Sequence, residues 1–130
     1  MNFEELMLRA VTNAETFKYT AKPNPVVGAI LCNDNEIISE GYHEIYGSNH
    51  AEINAISNAR KHQGKKFNNF SELALVCTLE PCSHVGKTGS CAEQIVETGI
   101  KKVVIGSIDP NPKVAGKGIE ILKKNGIVVT

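Results

Sequence analysis

The sequence has no excess of charge of either sign: fourteen Lys and Arg stand against fourteen Asp and Glu, a formal net charge of zero at pH 7. A global field that would attract nucleic acid or an anionic membrane is therefore missing, and any anion must be held locally. Long apolar runs are missing as well. The run from Val26 to Cys32 falls far short of the roughly 20 residues that span a bilayer, and no basic-then-apolar signal segment opens the chain. A cytoplasmic location without a membrane partner is the expectation. There is no internal repeat, no linker and no Gly-x-Gly-x-x-Gly dinucleotide fingerprint. The lack of a basic, aromatic-bearing run argues against transfer RNA, so no nucleic-acid partner is expected.

What is present is ordinary for a folded domain. Hydrophobic residues make up 42% and charged residues 22% of 130 positions, a balance that excludes disorder. This length lies below the soft prior of about 150 residues per domain, so residues 1–130 are expected to form a single domain with a core that needs no disulfide staples. The four cysteines then read as thiols, core residues or metal ligands rather than a disulfide framework. Cys32 and Cys77 end apolar runs and read as buried strand residues. Cys82 and Cys91 lie in a polar, Gly-rich stretch where burial does not explain a sulfur.

Asn2 can cap a helix whose apolar positions Leu6, Ala10, Val11, Ala14 and Phe17 recur at helical spacing, with its end near Lys22-Pro23. Val26 to Cys32 and Glu36 to Tyr42 read as a hairpin joined by Asn33-Asp34-Asn35. A helix from about His50 to His62 follows, packing through Ala51, Ile53, Ala55 and Ile56, then a strand from Leu73 to Thr78 and an irregular stretch from Leu79 to Ser90. A third helix from Cys91 to Thr98 stops at Gly99 and a strand runs from Lys102 to Gly106. After the turn Asp109-Pro110-Asn111-Pro112 come a helix from Gly118 to Lys124, its cap Asn125-Gly126, and a last strand from Ile127 to Val129. Alternating strands and helices after an antiparallel hairpin predict an α/β fold: a three-layer α/β/α sandwich around a mixed sheet of about five strands.

His50-Ala51-Glu52 opens one helix, and Cys82 and Cys91 bracket the loop before the next. One imidazole and two thiolates suit zinc, and three protein ligands leave the fourth position for water, which separates catalytic from structural zinc. Glu52 points about 200° away from His50 on a helix. It is therefore a poor fourth ligand, but it can take a proton from the water and return it to a substrate. The order His-x-Glu followed by Pro-Cys is the zinc nucleobase deaminase signature. Chance helix composition, or a structural site completed by His84 or His43, is the competing reading of these residues.

Beyond these ligands, the chain resembles the deaminase domain of the bacterial riboflavin-biosynthesis deaminase/reductase, within the cytidine deaminase-like superfamily. The resemblance rests on Asn24-Pro25-Val26-Val27-Gly28-Ala29, Gly41-Tyr42-His43, His50-Ala51-Glu52, Thr78-Leu79-Glu80-Pro81-Cys82-Ser83-His84 and Asp109-Pro110-Asn111-Pro112. Its most specific feature is the gap of eight residues, Ser83 to Ser90, between the cysteines. The resemblance implies zinc held by His50, Cys82 and Cys91, Glu52 as the proton carrier, and hydrolytic removal of an amino group from a diaminopyrimidinone bearing a ribosylamino phosphate. It places Asn24, His43, His84 and Lys87 at the substrate, with Asp109 and Asn111 beside them. Lys87, next to Gly86 and Gly89, could offer a point charge to the phosphate. Homo-oligomerisation is implied too, as is a separate reductase for the next step, since this length holds one deaminase domain and no reductase domain. Deamination of another nucleobase, nucleoside or transfer-RNA base is the alternative, and a non-catalytic zinc-stabilised module is a third. Where the family usually has Thr-Pro-Pro-Cys, this chain has Thr88-Gly89-Ser90-Cys91; the two missing prolines free the loop, and Ser90 is placed to cap the helix that starts at Cys91.

Overall fold

The computed structural model describes residues 2–14, 27–33, 36–42, 51–63, 70–81, 90–108 and 115–130. Strand β1 (Gly28–Cys32) is buried along its whole length, so both of its faces must be covered. Side chains alternate across a strand, and β1 divides accordingly: Ala29 and Leu31 enter one apolar cluster, Ile30 and Cys32 a second. Strand β3 (Ala74–Cys77) repeats the split, with Leu75 and Cys77 on the first face and Val76 on the second. Cys32 and Cys77 are thus buried core residues, as read from the sequence, but on opposite sides of the sheet.

The second face is covered by α1 (Phe3–Ala14). Asn2 caps it: its Oδ1 accepts the N–H groups of Glu4 at 2.9 Å and Glu5 at 3.4 Å, donors that have no partner within the helix. Leu6 and Ala10 are buried as expected, whereas Val11 is 43% exposed. At about 100° per residue, Leu6 and Ala10 with the half-buried Phe3 and Met7 define the inward arc, and Val11 falls beyond its margin. The Ala14 side chain, Phe17 and the helix end expected at Lys22-Pro23 lie outside the described residues.

The first face carries α2 (Ala51–Gln63), α3 (Cys91–Thr98) and α4 (Lys117–Lys124), which supply Ala55, Ile95 and Leu122 to the larger cluster. The result is the three-layer α/β/α sandwich that the element pattern predicts. A 3-10 turn over Phe70–Glu72, not anticipated from sequence, adds Phe70 to the same core.

The five strands are ordered β2 (Ile37–Tyr42), β1, β3, β4 (Lys102–Ile105), β5 (Val128–Val129). β1 is antiparallel to both β2 and β3, while β3, β4 and β5 are mutually parallel. The β1–β2 turn is held by Asn33, which donates its N–H to the Glu36 carbonyl at 3.0 Å and accepts the Glu36 N–H on Oδ1 at 2.8 Å. Because β2 and β3 both oppose β1, they run in the same direction. β2, β3 and β4 therefore end at one edge of the sheet, and α2, α3 and α4, which follow them in the chain, begin there. β1 starts at that edge too, its Gly28 lying opposite Tyr42.

Candidate active site

In open α/β sheets the carboxyl ends of the strands are where ligands bind, and here that edge is laced by hydrogen bonds. Thr78, leaving β3, donates its N–H to the Gly28 carbonyl at 3.0 Å and accepts the Gly28 N–H on Oγ1 at 3.0 Å. Gly106 donates to the Cys77 carbonyl at 2.8 Å, and Glu80 donates its N–H to the Ser107 carbonyl at 2.8 Å. The entry to β1 and the exits of β3 and β4 are thereby held in register beyond the strands themselves.

Glu52 stands in the first turn of α2 and is 3% exposed. Helix α2 can approach β2 this closely because residue 41 is glycine: a Cβ there would collide with the Ala51 carbonyl oxygen and the Ala55 nitrogen. Side chains then fasten the two elements. Asn54 Nδ2 donates to the Tyr42 carbonyl at 2.6 Å, Asn58 Nδ2 to the Glu40 carbonyl at 2.8 Å, and Ser39 Oγ to the Ala55 carbonyl at 2.7 Å. Burying a carboxylate is costly, so a site that pins one at the carboxyl edge is a candidate for acid–base chemistry. Burial and the nearby Glu52 carboxylate push the Cys77 thiol well above the ordinary cysteine range. Cys77 ends β3 as a fully buried core residue.

Cys91 is the first residue of α3 and is 5% exposed. Ser90 before it is fully buried and forms the cap: its Oγ accepts the Glu93 N–H at 3.1 Å. That agrees with the capping role read for Ser90 where the family usually has proline. Cys91 thus sits where backbone N–H groups and the helix dipole favour negative charge.

Of the residues singled out from sequence, Glu52 and Cys91 are described. Asn24, His43, His50, Cys82, His84, Lys87, Asp109 and Asn111 lie outside the described residues. Their described neighbours, Val27, Tyr42, Ala51, Pro81, Ser90, Ile108 and Ala115, flank strand ends or helix starts of the one edge derived above. Among the described residues, no three His, Cys, Asp or Glu side chains form a metal-binding group. What is described fits zinc: a buried thiol leading one helix, and a buried carboxylate in the first turn of another that starts at the same edge. A sulfur donor is what a zinc centre takes, and a carboxylate outside the ligand set is what its water needs.

Sequence reading missed Glu80, quoted above only as part of a motif. It is 5% exposed, and its two carboxylate oxygens accept the Gly116 N–H at 2.9 Å and the Ile119 N–H at 3.1 Å. A signal was present: an acidic residue between Leu79 and Pro81, and a final helix without a side-chain cap at its start. The partners stand 36 and 39 residues apart in sequence, beyond any local pattern.

Comparison with known proteins agrees with this geometry. Residues 1–107 match the family described as the cytidine and deoxycytidylate deaminase zinc-binding region. A diaminohydroxyphosphoribosylamino-pyrimidine deaminase of Buchnera aphidicola (subsp. Schizaphis graminum) is 46% identical over 123 residues, covering 95% of this chain and 79% of the relative. The riboflavin biosynthesis protein RibD of Escherichia coli is 40% identical over 130 residues, where this chain spans 34% of the longer protein. Among solved structures, RibD of Acinetobacter baumannii superposes with a TM-score of 0.86 at 41% identity, covering 98% of this chain and 34% of that one.

Proposed function

The chain belongs to the cytidine and deoxycytidylate deaminase zinc-binding family, and from that premise we propose that it hydrolyses the exocyclic amino group of diaminohydroxyphosphoribosylaminopyrimidine in riboflavin biosynthesis. The observation that carries the reading is the buried Glu52 carboxylate, pinned in the first turn of α2 at the edge where Cys91 opens α3. The relatives' names supply the substrate.

In this reading His50, Cys82 and Cys91 would hold zinc, which would supply the Lewis acidity that makes water nucleophilic at neutral pH. Glu52 carries one proton from the attacking water to the ring nitrogen, and the second, released as the added hydroxyl becomes a carbonyl, to the departing amine. Water adds at the amino-bearing carbon, the C–N bond breaks, and ammonia leaves with a carbonyl in its place. Because α2 is fastened to β2 at several points, Glu52 carries this proton without a large rearrangement of its backbone. Asn24 would lie near the ring and His43 would line the substrate pocket; His84 and Lys87 would lie at the substrate, Lys87 offering charge to the phosphate, with Asp109 and Asn111 beside them. The longer RibD relatives continue past the region matched here, and the next, reductive step belongs to a reductase. A cytoplasmic, homo-oligomeric enzyme completes the proposal; among the described residues no helix is long and apolar enough to cross a membrane.

The test is ammonia release by zinc-loaded protein from the ribosylamino phosphate, with cytidine, guanine and transfer RNA as alternatives. Turnover of the first alone supports the proposal, and turnover of any other in its place overturns the substrate assignment. Glu52→Gln should keep zinc and fold while losing about 10²–10⁴-fold in rate, the usual worth of general acid–base catalysis; wild-type turnover by that variant would remove Glu52 from the mechanism.

A further inference from the structure

We infer that Glu80 is a positioning residue for the zinc site, acting through a clamp between α4 and the segment that leads into Cys82. The inference rests on the reading of Cys82 and Cys91 as ligands. Helix α4 has no capping side chain of its own: its N-cap is Gly116, with φ 83°. The missing acceptor comes from Glu80, whose carboxylate takes the Gly116 and Ile119 N–H groups. Both oxygens are thus engaged at the helix start. Next to this bond the two backbones touch: a Cβ at Gly118 would collide with the Pro81 carbonyl oxygen. The Glu80 N–H is meanwhile bonded to Ser107. Glu80-Pro81 is therefore gripped by the β4 exit and by α4 just before the chain reaches Cys82.

Helix α4 also packs against α3, whose first residue is Cys91. One helix thus braces both cysteine-bearing segments. Ligands must be held within about 0.5 Å of their working geometry by the shell behind them, and loss of such outer partners typically weakens metal binding by about 10–100-fold. A mere helix cap would affect stability alone; a positioning residue changes the metal centre as well.

The experiment is titration of the purified full chain with zinc, and with cobalt(II) as the spectroscopic probe, at a temperature where every metal-free variant is folded. Glu80→Ala should weaken zinc binding about 10–100-fold and shift the thiolate-to-cobalt charge-transfer band. Glu80→Gln keeps one carbonyl acceptor and should recover part of both. Leu6→Ala, or Leu6→Val if that chain does not fold, opens the core on the opposite face of the sheet, away from α3, α4 and the clamp; it should lower Tm yet leave zinc affinity and the cobalt band unchanged. Wild-type affinity and spectrum in Glu80→Ala would overturn the inference. So would zinc affinity that simply follows Tm across all the variants. If wild-type protein shows no thiolate band, or Cys82→Ser retains the full wild-type band, the ligand reading fails first and the inference with it, a result reached without altering Glu80.

Discussion

The buried Glu52 carboxylate lies near enough to the fully buried Cys77 thiol to make its ionisation harder, adding to the effect of burial. Cys77 is thereby a packing residue of the first face of the sheet, whereas the proposed function gives Glu52 the proton. This also distinguishes Cys77 from Cys91, which opens a helix instead of ending a strand.

Thiol labelling should reveal the difference. In zinc-loaded protein near neutral pH, alkylation should be slow at every cysteine; after chelation, Cys82 and Cys91 should label while Cys32 and Cys77 stay protected until the chain unfolds, because thiolate access controls reactivity. Peptide mapping by mass spectrometry reads this directly. Labelling of Cys77 in the folded, zinc-free protein as fast as Cys91 would contradict the assignment.

Gly41→Ala should damage the site from a distance. Its Cβ would meet the Ala51 carbonyl oxygen and the Ala55 nitrogen, so α2 must shift away from β2 and carry Glu52 with it. Overpacking of this kind costs about 1–3 kcal/mol, and the rigid backbone on both sides favours the upper end. Thermal unfolding should show the loss, with turnover falling further than the folded fraction accounts for.

Ser90→Ala removes the acceptor for the Glu93 N–H and should cost about 1 kcal/mol in urea unfolding of the metal-free chain. Ser90→Asp restores an acceptor and should recover most of it. Equal stability of the alanine variant and wild type would mean that the cap has no energetic role.

The Arg9–Glu40 pair predicts a small acid-sensitive contribution. Arg9 donates Nε to Oε1 at 2.6 Å and Nη2 to Oε2 at 3.0 Å, and its hydrogen bonding, opposed by partial burial, holds the Glu40 carboxyl below its usual range. A lowered folded-state pKa contributes stability that is complete above the unfolded carboxyl value of about 4.3 and is lost as pH falls through the folded value. The pair is largely solvated, so its worth is about 0.5 kcal/mol. Denaturation curves of Arg9→Gln and wild type should differ by that amount at neutral pH and converge in acid; a gap that persists in strong acid would assign the effect to packing.

How much the sequence revealed follows the range of the interaction. Asn2, Asn33 and Ser90 bond within three residues of themselves, so local chemistry disclosed the first helix start, the hairpin and the cap before Cys91. The central strands were visible as the apolar runs ending at Cys32 and Cys77, because both faces of the sheet are covered. Val11 was misjudged because the edge of a helix's buried arc depends on the sheet beneath it. Glu80 was missed because its partners belong to another element, and Gly41 because the close approach of α2 cannot be seen in β2.

By itself, then, the sequence determined the chemistry on offer, since the types and order of Glu52, Cys91 and the neighbours that complete the motif are covalent facts. Tertiary structure alone decided where that chemistry converges. β1 opposes both β2 and β3, so these strands finish at the same edge and bring the starts of α2, α3 and α4 together. Strand direction is a property of pairing across the sheet, set by which apolar faces can be buried at once, and no local stretch of residues carries it.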